Sequence, residues 1–336
     1  MLELSVNSKS PAAIAAALKK IHEMAMTGAI EKKTPIHITL EAGLYRESIR
    51  YNLSNPLVIE GSARAKASDC VIQADNCEAF RKGVSNRAVF AIGSNVTSIT
   101  VRNLSIINMH NKSVMEGNTL FDSAEALAWD NTSGMLKVEG VRIEGRQNTL
   151  FVKGYSMFRN CYITGDIDFI YGEPTSAYFE NCTVHVREDN RGDFNGYAVM
   201  CRSAAETKGF IFSDCTFTAD KRKKASLYVY RTAGKGSSTT KKDWDNVAFI
   251  NCTMSELFSQ ELVWDDDMNL VVYPRGNAAS GIREYNTRVV KANGTDEPAD
   301  TELRNVKTYS LTDDDYFNGY SSRYLILKNT PFEEAL

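Results

Sequence analysis

Phe158-Arg159-Asn160-Cys161-Tyr162-Ile163 is followed, its cysteine 21 residues further on, by Phe179-Glu180-Asn181-Cys182-Thr183-Val184. The pattern returns as Phe212-Ser213-Asp214-Cys215-Thr216-Phe217 and as Phe249-Ile250-Asn251-Cys252-Thr253-Met254. Two earlier copies, Val101-Arg102-Asn103-Leu104-Ser105-Ile106 and Val138-Glu139-Gly140-Val141-Arg142-Ile143, put Leu or Val in the cysteine slot. A period near 20 residues, seen from Val141 to Cys161, with one strand-like alternation in each period, marks a solenoid. Each coil of a solenoid buries its face only against the next coil. Three short strands and their turns fit one period, so the predicted fold is all-β: a right-handed parallel β-helix.

The repeated cysteine reads as a small buried hydrophobe stacking on its equivalents. The seven cysteines include no Cys-x-x-Cys spacing for a metal, and no disulfide framework is indicated. The Asn beside each Cys reads as a turn residue whose amide bonds its equivalent one coil along.

The repeat predicts a single domain over 1–336, with coils from about 36 to 290 and an irregular tail from about 295 to 336. Residues 10–28 are expected to form one capping helix. Ser10 would cap it, Pro11 suits its first turn, Ile14, Leu18, Ile21 and Ala25 share a face, and Gly28 ends it. This helix would plug the open end of the solenoid.

A net charge of −3 and a pI near 5.9 argue against a nucleic-acid partner, which calls for a basic face. No apolar run approaches the roughly 20 residues of a membrane helix, and a monomer is expected. Met1-Leu2-Glu3-Leu4-Ser5 lacks the pattern of a signal peptide. With Met1 as the natural start the expected location is the cytoplasm; the alternative is a secreted protein with its signal removed.

Other chemistries find little support. There is no Gly-x-Ser-x-Gly elbow, phosphate loop or His-Glu-x-x-His. His22 falls on the helix, while His37, His110 and His185 are expected on turns or outer faces. The clusters Asp265-Asp266-Asp267 and Asp313-Asp314-Asp315 read as solvated loops rather than calcium sites.

Two inserts beside the repeat carry the candidate chemistry: Gln147-Asn148-Thr149-Leu150 and Asp166-Ile167-Asp168-Phe169-Ile170-Tyr171-Gly172. With Gly43-Leu44-Tyr45-Arg46-Glu47 and Glu284-Tyr285, they resemble the pectin methylesterases (pectinesterases), parallel β-helix enzymes that demethylate polygalacturonate. The resemblance implies a carboxylate nucleophile at Asp168, an oxyanion donor at Gln147 and, from Val229-Tyr230-Arg231-Thr232-Ala233, an orienting arginine at Arg231. It implies no cofactor or metal, and a methylated oligo- or polygalacturonate as substrate.

Two departures from the family pattern stand out. Asn148 occupies the place of the family's acid/base aspartate, and Glu125, in Glu125-Ala126-Leu127-Ala128-Trp129, the place of a family glutamine. One carboxyl and one amide are thus kept in exchanged positions. Glu125 is the expected proton donor, with a pKa raised by burial or by Asp168, and Asn148 the amide donor. Asp166 is a competing acid, because residues i and i+2 of a strand share a face. The family's sugar-stacking Trp is missing, which leaves Tyr171, Phe151, Tyr228 and Tyr230 as candidate sugar contacts. Arg231, Arg146, Lys153 and Arg202 are candidates for substrate carboxylates. Two other functions remain open: a homologue that binds polygalacturonate without turnover, and a β-helix esterase acting on another acyl group.

Overall fold

A computed structural model describes residues 1–112, 122–232, 244–264 and 276–333. Its strands wind into a parallel β-helix with three faces. The first face begins with Leu2–Val6, Ile36–Leu40 and Leu57–Gly61 and continues through Ser98–Arg102, Met135–Glu139, Gly209–Ser213, Val247–Ile250 and Ile282–Tyr285. The second is a ten-stranded sheet running from Gly43–Arg46 through Tyr162–Gly165 and Thr183–Val186 to Arg288–Val290, closed by antiparallel Asp296–Pro298. The third stacks Ile49–Tyr51, Phe90–Ile92, Leu127–Trp129, Gly196–Cys201, Leu227–Arg231 and Val263–Trp264. Two long strands, Leu150–Arg159 and Ile167–Glu180, bend through both the third and the first face.

The alternation read in the sequence is the cause of this packing. Ile36–Leu40 and Leu57–Gly61 bury every second residue, which is what a strand with one face on a core does. Inside, Phe158, Phe179, Phe212 and Phe249 stack coil on coil, with ring centroids 4.5, 4.6 and 5.6 Å apart. Cys161, Cys182, Cys215 and Cys252 form the expected buried column, all as free thiols.

The corner between the first and second faces takes a left-handed residue in coil after coil. Asn103, Gly140, Asn160, Asn181, Asp214, Asn251 and Asn286 have φ between 48° and 61°, a region open to Gly and tolerated by Asn and Asp. The expected amide ladder is seen at Asn286, which donates to Asn251 Oδ1 at 3.0 Å. At Asn103 the amide reaches the loop of the preceding coil instead, donating to the Ala65 carbonyl at 2.9 Å.

Several expectations are corrected. The coils begin at Leu2–Val6, in register with Ile36–Leu40, on the far side of the helix from the rest of the repeat. The helix spans Ala13–Met26, and Ser10 does not cap it. Glu47, from a coil, accepts from the backbone N–H groups of Ile14 and Ala15 at 3.0 and 2.7 Å, a carboxylate at the positive end of the helix. Ile14, Leu18 and Ile21 are buried against the first coils.

The tail is more ordered than expected. Asp313–Gly319 and Arg323–Leu327 are helices. Leu311, Tyr320, Ile326, Leu327 and Phe332 cover Tyr178, Ile211 and Ile250 on the outside of the first face. Asp313-Asp314-Asp315 is a helix first turn rather than a loop, with Thr312 and Asp315 capping each other. Asp265-Asp266-Asp267 lies outside the described residues. No helix among those described is long and apolar enough to cross a membrane.

Candidate active site

The outward residues of the third face form columns whose members follow from the register. One runs Arg50, Ala91, Ala128, Phe151, Tyr171, Met200, Arg231 and Trp264. Three residues before Ala128, Phe151 and Tyr171 on consecutive coils stand Glu125, Asn148 and Asp168, brought side by side by the pairing of Leu127 with Leu150 and of Leu150 with Ile170.

Asp168 sits at a bulge. Strand pairing matches Ile167 with Tyr197 and Ile170 with Val199, so two residues face one, and Asp168 takes φ 46°. A bulge re-aims a side chain out of the pleat. The carboxylate is buried at 4 % exposure. Oδ2 accepts from the Arg231 guanidinium, whereas Oδ1 has no hydrogen-bond partner among the described residues. Burial pushes its pKa up, and the charges of Arg231 and Arg202 pull it back. A desolvated carboxylate oriented on one oxygen and free on the other is suited to nucleophilic attack.

Gln147 and Asn148 approach from the preceding coil, both buried. The Asn148 N–H donates to the Ile167 carbonyl at 3.2 Å, which ties its turn to that of Asp168. Its Oδ1 accepts from Ser123 Oγ at 3.0 Å. The carbonyl end of the amide is thereby committed, and the NH2 is left as the donor end.

Glu125 is fully buried and does not stand alone. Arg87 Nε donates to Oε2 and an Arg87 terminal nitrogen to Oε1, each at 2.6 Å, and the Tyr171 hydroxyl also donates to Oε1. Burial pushes the Glu125 carboxyl up, while Arg87 and Tyr171 draw it down. With both oxygens filled, the carboxylate is a bidentate partner of an arginine. Its distance from Asp168 is bridged by Tyr171, which starts on the Asp168 coil and passes the Asn148 coil to reach Glu125.

Asp166 belongs to another network. The Lys112 ammonium lies 2.9 Å from its Oδ1 and also bonds Asp189, and Arg146 approaches Oδ2 at 3.5 Å. Lys112 and Asp166 have fully buried side chains. Asp166 therefore anchors loops rather than facing the groove.

The predicted sugar contacts divide. Phe151 and Tyr171 lie on the groove floor, their rings 5.2 Å apart. Tyr230 does not face the groove: it is fully buried, its hydroxyl donating to Asp245 at 2.6 Å and accepting from the Cys201 N–H at 3.2 Å. Its ring packs in the buried core with Leu227 and Val229 of the same strand. Lys153 pairs with Asp130 at 3.2 Å, and Arg202 is exposed beside the site.

Sequence reasoning missed four residues. Arg87 and Ser123 lie in irregular or very short elements that carry no repeat. Tyr197 and Trp264 form with Tyr228 an aromatic group next to Arg231, whose guanidinium lies 5.1 Å from the Tyr197 ring. Tyr197 and Tyr228 stack at 6.0 Å, and Trp264 meets Tyr228 edge-on at 5.3 Å. The column through Arg231 would have found Trp264 had the coil length been known. His110 also departs from expectation, buried between Asp75 and Asp122 at 3.1 Å from each.

The fold is a parallel β-helix that carries a buried, arginine-held aspartate beside two amides. The chain belongs to the pectinesterase family, whose model matches residues 9–305. It is similar to the pectinesterase QRT1 of Arabidopsis thaliana, 26% identical over 238 residues that make up 69% of this chain and 57% of the relative. A pectinesterase of Petunia integrifolia is 26% identical over 57% of this chain and 49% of its own length. The chain thus spans about half the length of these curated relatives.

Among solved structures, the pectin methylesterase of Erwinia chrysanthemi has a TM-score of 0.70 at 21% identity, covering 98% of this chain and 97% of that one. The carrot enzyme has a TM-score of 0.68 at 15% identity, with 95% and 90% covered. A pectin methylesterase in complex with a hexasaccharide has a TM-score of 0.68 at 20% identity, with 97% of each chain covered. These likenesses establish the fold.

Proposed function

We propose that the protein demethylates methyl-esterified galacturonate chains (pectin), releasing methanol and leaving free galacturonate. The observation that carries this reading is Asp168, held on Oδ2 by Arg231 while Oδ1 has no partner among the described residues. Oδ1 attacks the ester carbonyl, whose oxygen becomes an oxyanion facing the amides of Gln147 and Asn148. Collapse expels methoxide, which takes up a proton to leave as methanol. The resulting anhydride with Asp168 is hydrolysed by water, which restores the carboxylate and frees the galacturonate. Donors set in advance for the oxyanion contribute about 3–4 kcal/mol each in other acyl-transfer sites.

Proton delivery is assigned to the Tyr171–Glu125 pair. Glu125 alone has no free oxygen, but the Tyr171 hydroxyl, hydrogen-bonded to it, extends the pair toward the Asp168 coil. Phe151 and Tyr171 supply the sugar floor, with Tyr197, Tyr228 and Trp264 beyond Arg231, and the exposed Arg202 is the proposed partner of free carboxylates, joined by Lys153 where it gives up Asp130. The hexasaccharide bound by a solved relative supports an extended groove of this kind.

A second reading is favoured by one observation: Glu125 is locked to Arg87 and Asn148 is an amide, which suits a protein that binds the polymer without turnover. Methanol release from methylated oligogalacturonide decides between the two. Turnover lost in Asp168→Asn, Glu125→Gln and Tyr171→Phe supports the esterase. An inert parent revived by Asn148→Asp supports the binder.

A further inference from the structure

The column that floors the groove does not end at Ala91. Its next member is Arg50, paired with Ala91 on the first strand of that face. Arg50 stands four strands from Tyr171, which at a strand spacing near 4.8 Å is about 19 Å. The short helix Val84–Arg87 lies between, with Val84 packed against the cluster that contains Ala91, Ala128 and Phe151 of that column.

Arg50 itself lines a cavity of about 590 Å³, within the size range of ligand sites. Lys19, His22, Arg50 and Arg81 line it, Leu18 and Leu53 add apolar surface, and no carboxylate is among its lining residues. Glu23 is the nearby acid, 3.9 Å from Lys19, with both side chains mostly exposed. Glu47 is spent on the helix N-terminus. Arg50 donates to the Asn86 carbonyl; the side chain of Arg81 has no hydrogen-bond or ion-pair partner among the described residues. Partial desolvation, then the neighbouring charge of Arg81, push the Arg50 pKa down. Two guanidiniums that repel each other beside an apolar surface make a site that an anion with an apolar face would relieve.

We propose that this cavity is a second binding site, for stretches of uronate sugar that already carry free carboxylates. Basic side chains match the carboxylates, and Leu18 and Leu53 match the C–H face of the sugar ring. A bare phosphate or acetate would use only the charges. The site shares a column with the catalytic groove, so one long chain can occupy both, the demethylated stretch held at Arg50 and Arg81 while a methylated unit lies at Asp168. The proposal rests on the esterase reading for the identity of its ligand.

The test uses the double variant Lys19→Gln/Arg81→Gln, neither residue belonging to the catalytic groove, with thermal unfolding to confirm the fold. Calorimetric titration with long, fully de-esterified oligogalacturonate is expected to show salt-sensitive binding to the parent, weakened about tenfold in the variant, equivalent to about 1.4 kcal/mol. Methanol release from a short methylated oligomer is expected to be unchanged, while KM on partly demethylated polymer rises. Equal binding by parent and variant would overturn the site, and polyglutamate binding as tightly as the uronate would overturn its sugar assignment. Absent methanol release with the binding difference intact would remove the esterase reading and leave the site standing.

Discussion

The corner between the first and second faces and the corner that carries Asp168 use the same backbone conformation. At the first, the left-handed residue recurs at Asn103, Gly140, Asn160, Asn181, Asp214, Asn251 and Asn286, on turns whose neighbours pack in the Phe and Cys columns. At the second it occurs at Asn148 and Asp168, on consecutive coils, with φ 64° and 46°, and there the side chains gather Ser123 and Arg231. The repeated corner presents its side chains to solvent, as at Asn181, or to the neighbouring coil, as at Asn103 and Asn286. The other buries its polar groups, a cost that only specific partners offset. In a solenoid, what recurs builds the core, and a break in recurrence marks a site.

The sharpest way to break this contrast is to change one residue at each corner. Asp168→Asn is expected to lower methanol release by about 10³-fold or more, whereas Asn181→Gly should leave it within about twofold. Comparable losses in both would mean that the two corners differ in nothing but position. A smaller loss, about 10²-fold, is expected for Gln147→Ala, read in kcat rather than KM because an oxyanion donor acts in the transition state. Tyr171→Phe is expected to cost about as much, with the pH profile of kcat changed if the phenol carries the proton.

The buried corner also carries a stability signature. Asp168 has a folded-state pKa raised by burial, so the native state holds its proton more tightly than the unfolded chain. The sign then follows: the contribution of Asp168 is most favourable below its unfolded pKa and is lost as pH rises through its folded pKa. Asp168→Asn, which cannot ionise, is expected to melt at a higher temperature than the parent at pH 7, with the gap closing toward pH 4. Activity runs the other way, rising as Asp168 ionises. A melting gap that stays constant with pH would show that burial of this carboxylate is not what strains the corner.

Much of this was legible in the residues. The Asn-Cys repeat implies the coils and the buried thiols, and the resemblance to the pectinesterases points to Asp168, Gln147 and Arg231. What the repeat does not encode is how far each loop reaches. Arg87 meets Glu125 because a four-residue helix bends over the face, and nothing in Ser85-Asn86-Arg87 signals that. Tyr230 was misplaced because simple alternation does not hold in this strand: Leu227, Val229 and Tyr230 all pack in the core, while Tyr228 joins the aromatic group beside Arg231. Glu47 in place of Ser10 as the helix cap is a contact across 33 residues, invisible to any local pattern.

The smallest effect tests the repeated corner on its own terms. Asn181 has φ 52°, an exposed side chain and an inward cysteine beside it, so its value lies in the backbone conformation it tolerates. Asn181→Ala is expected to destabilise by about 1 kcal/mol, the cost of a Cβ in the left-handed region. Asn181→Gly should stay within about 0.5 kcal/mol of the parent, the steric relief offsetting the extra freedom of the unfolded chain. The protein has made this substitution once already, at Gly140, φ 61°, where the same corner turns without a side chain. If denaturant unfolding shows Ala and Gly costing the same, the amide itself must be bonding in the turn, and this corner would resemble Asn148 more closely than its repetition implies.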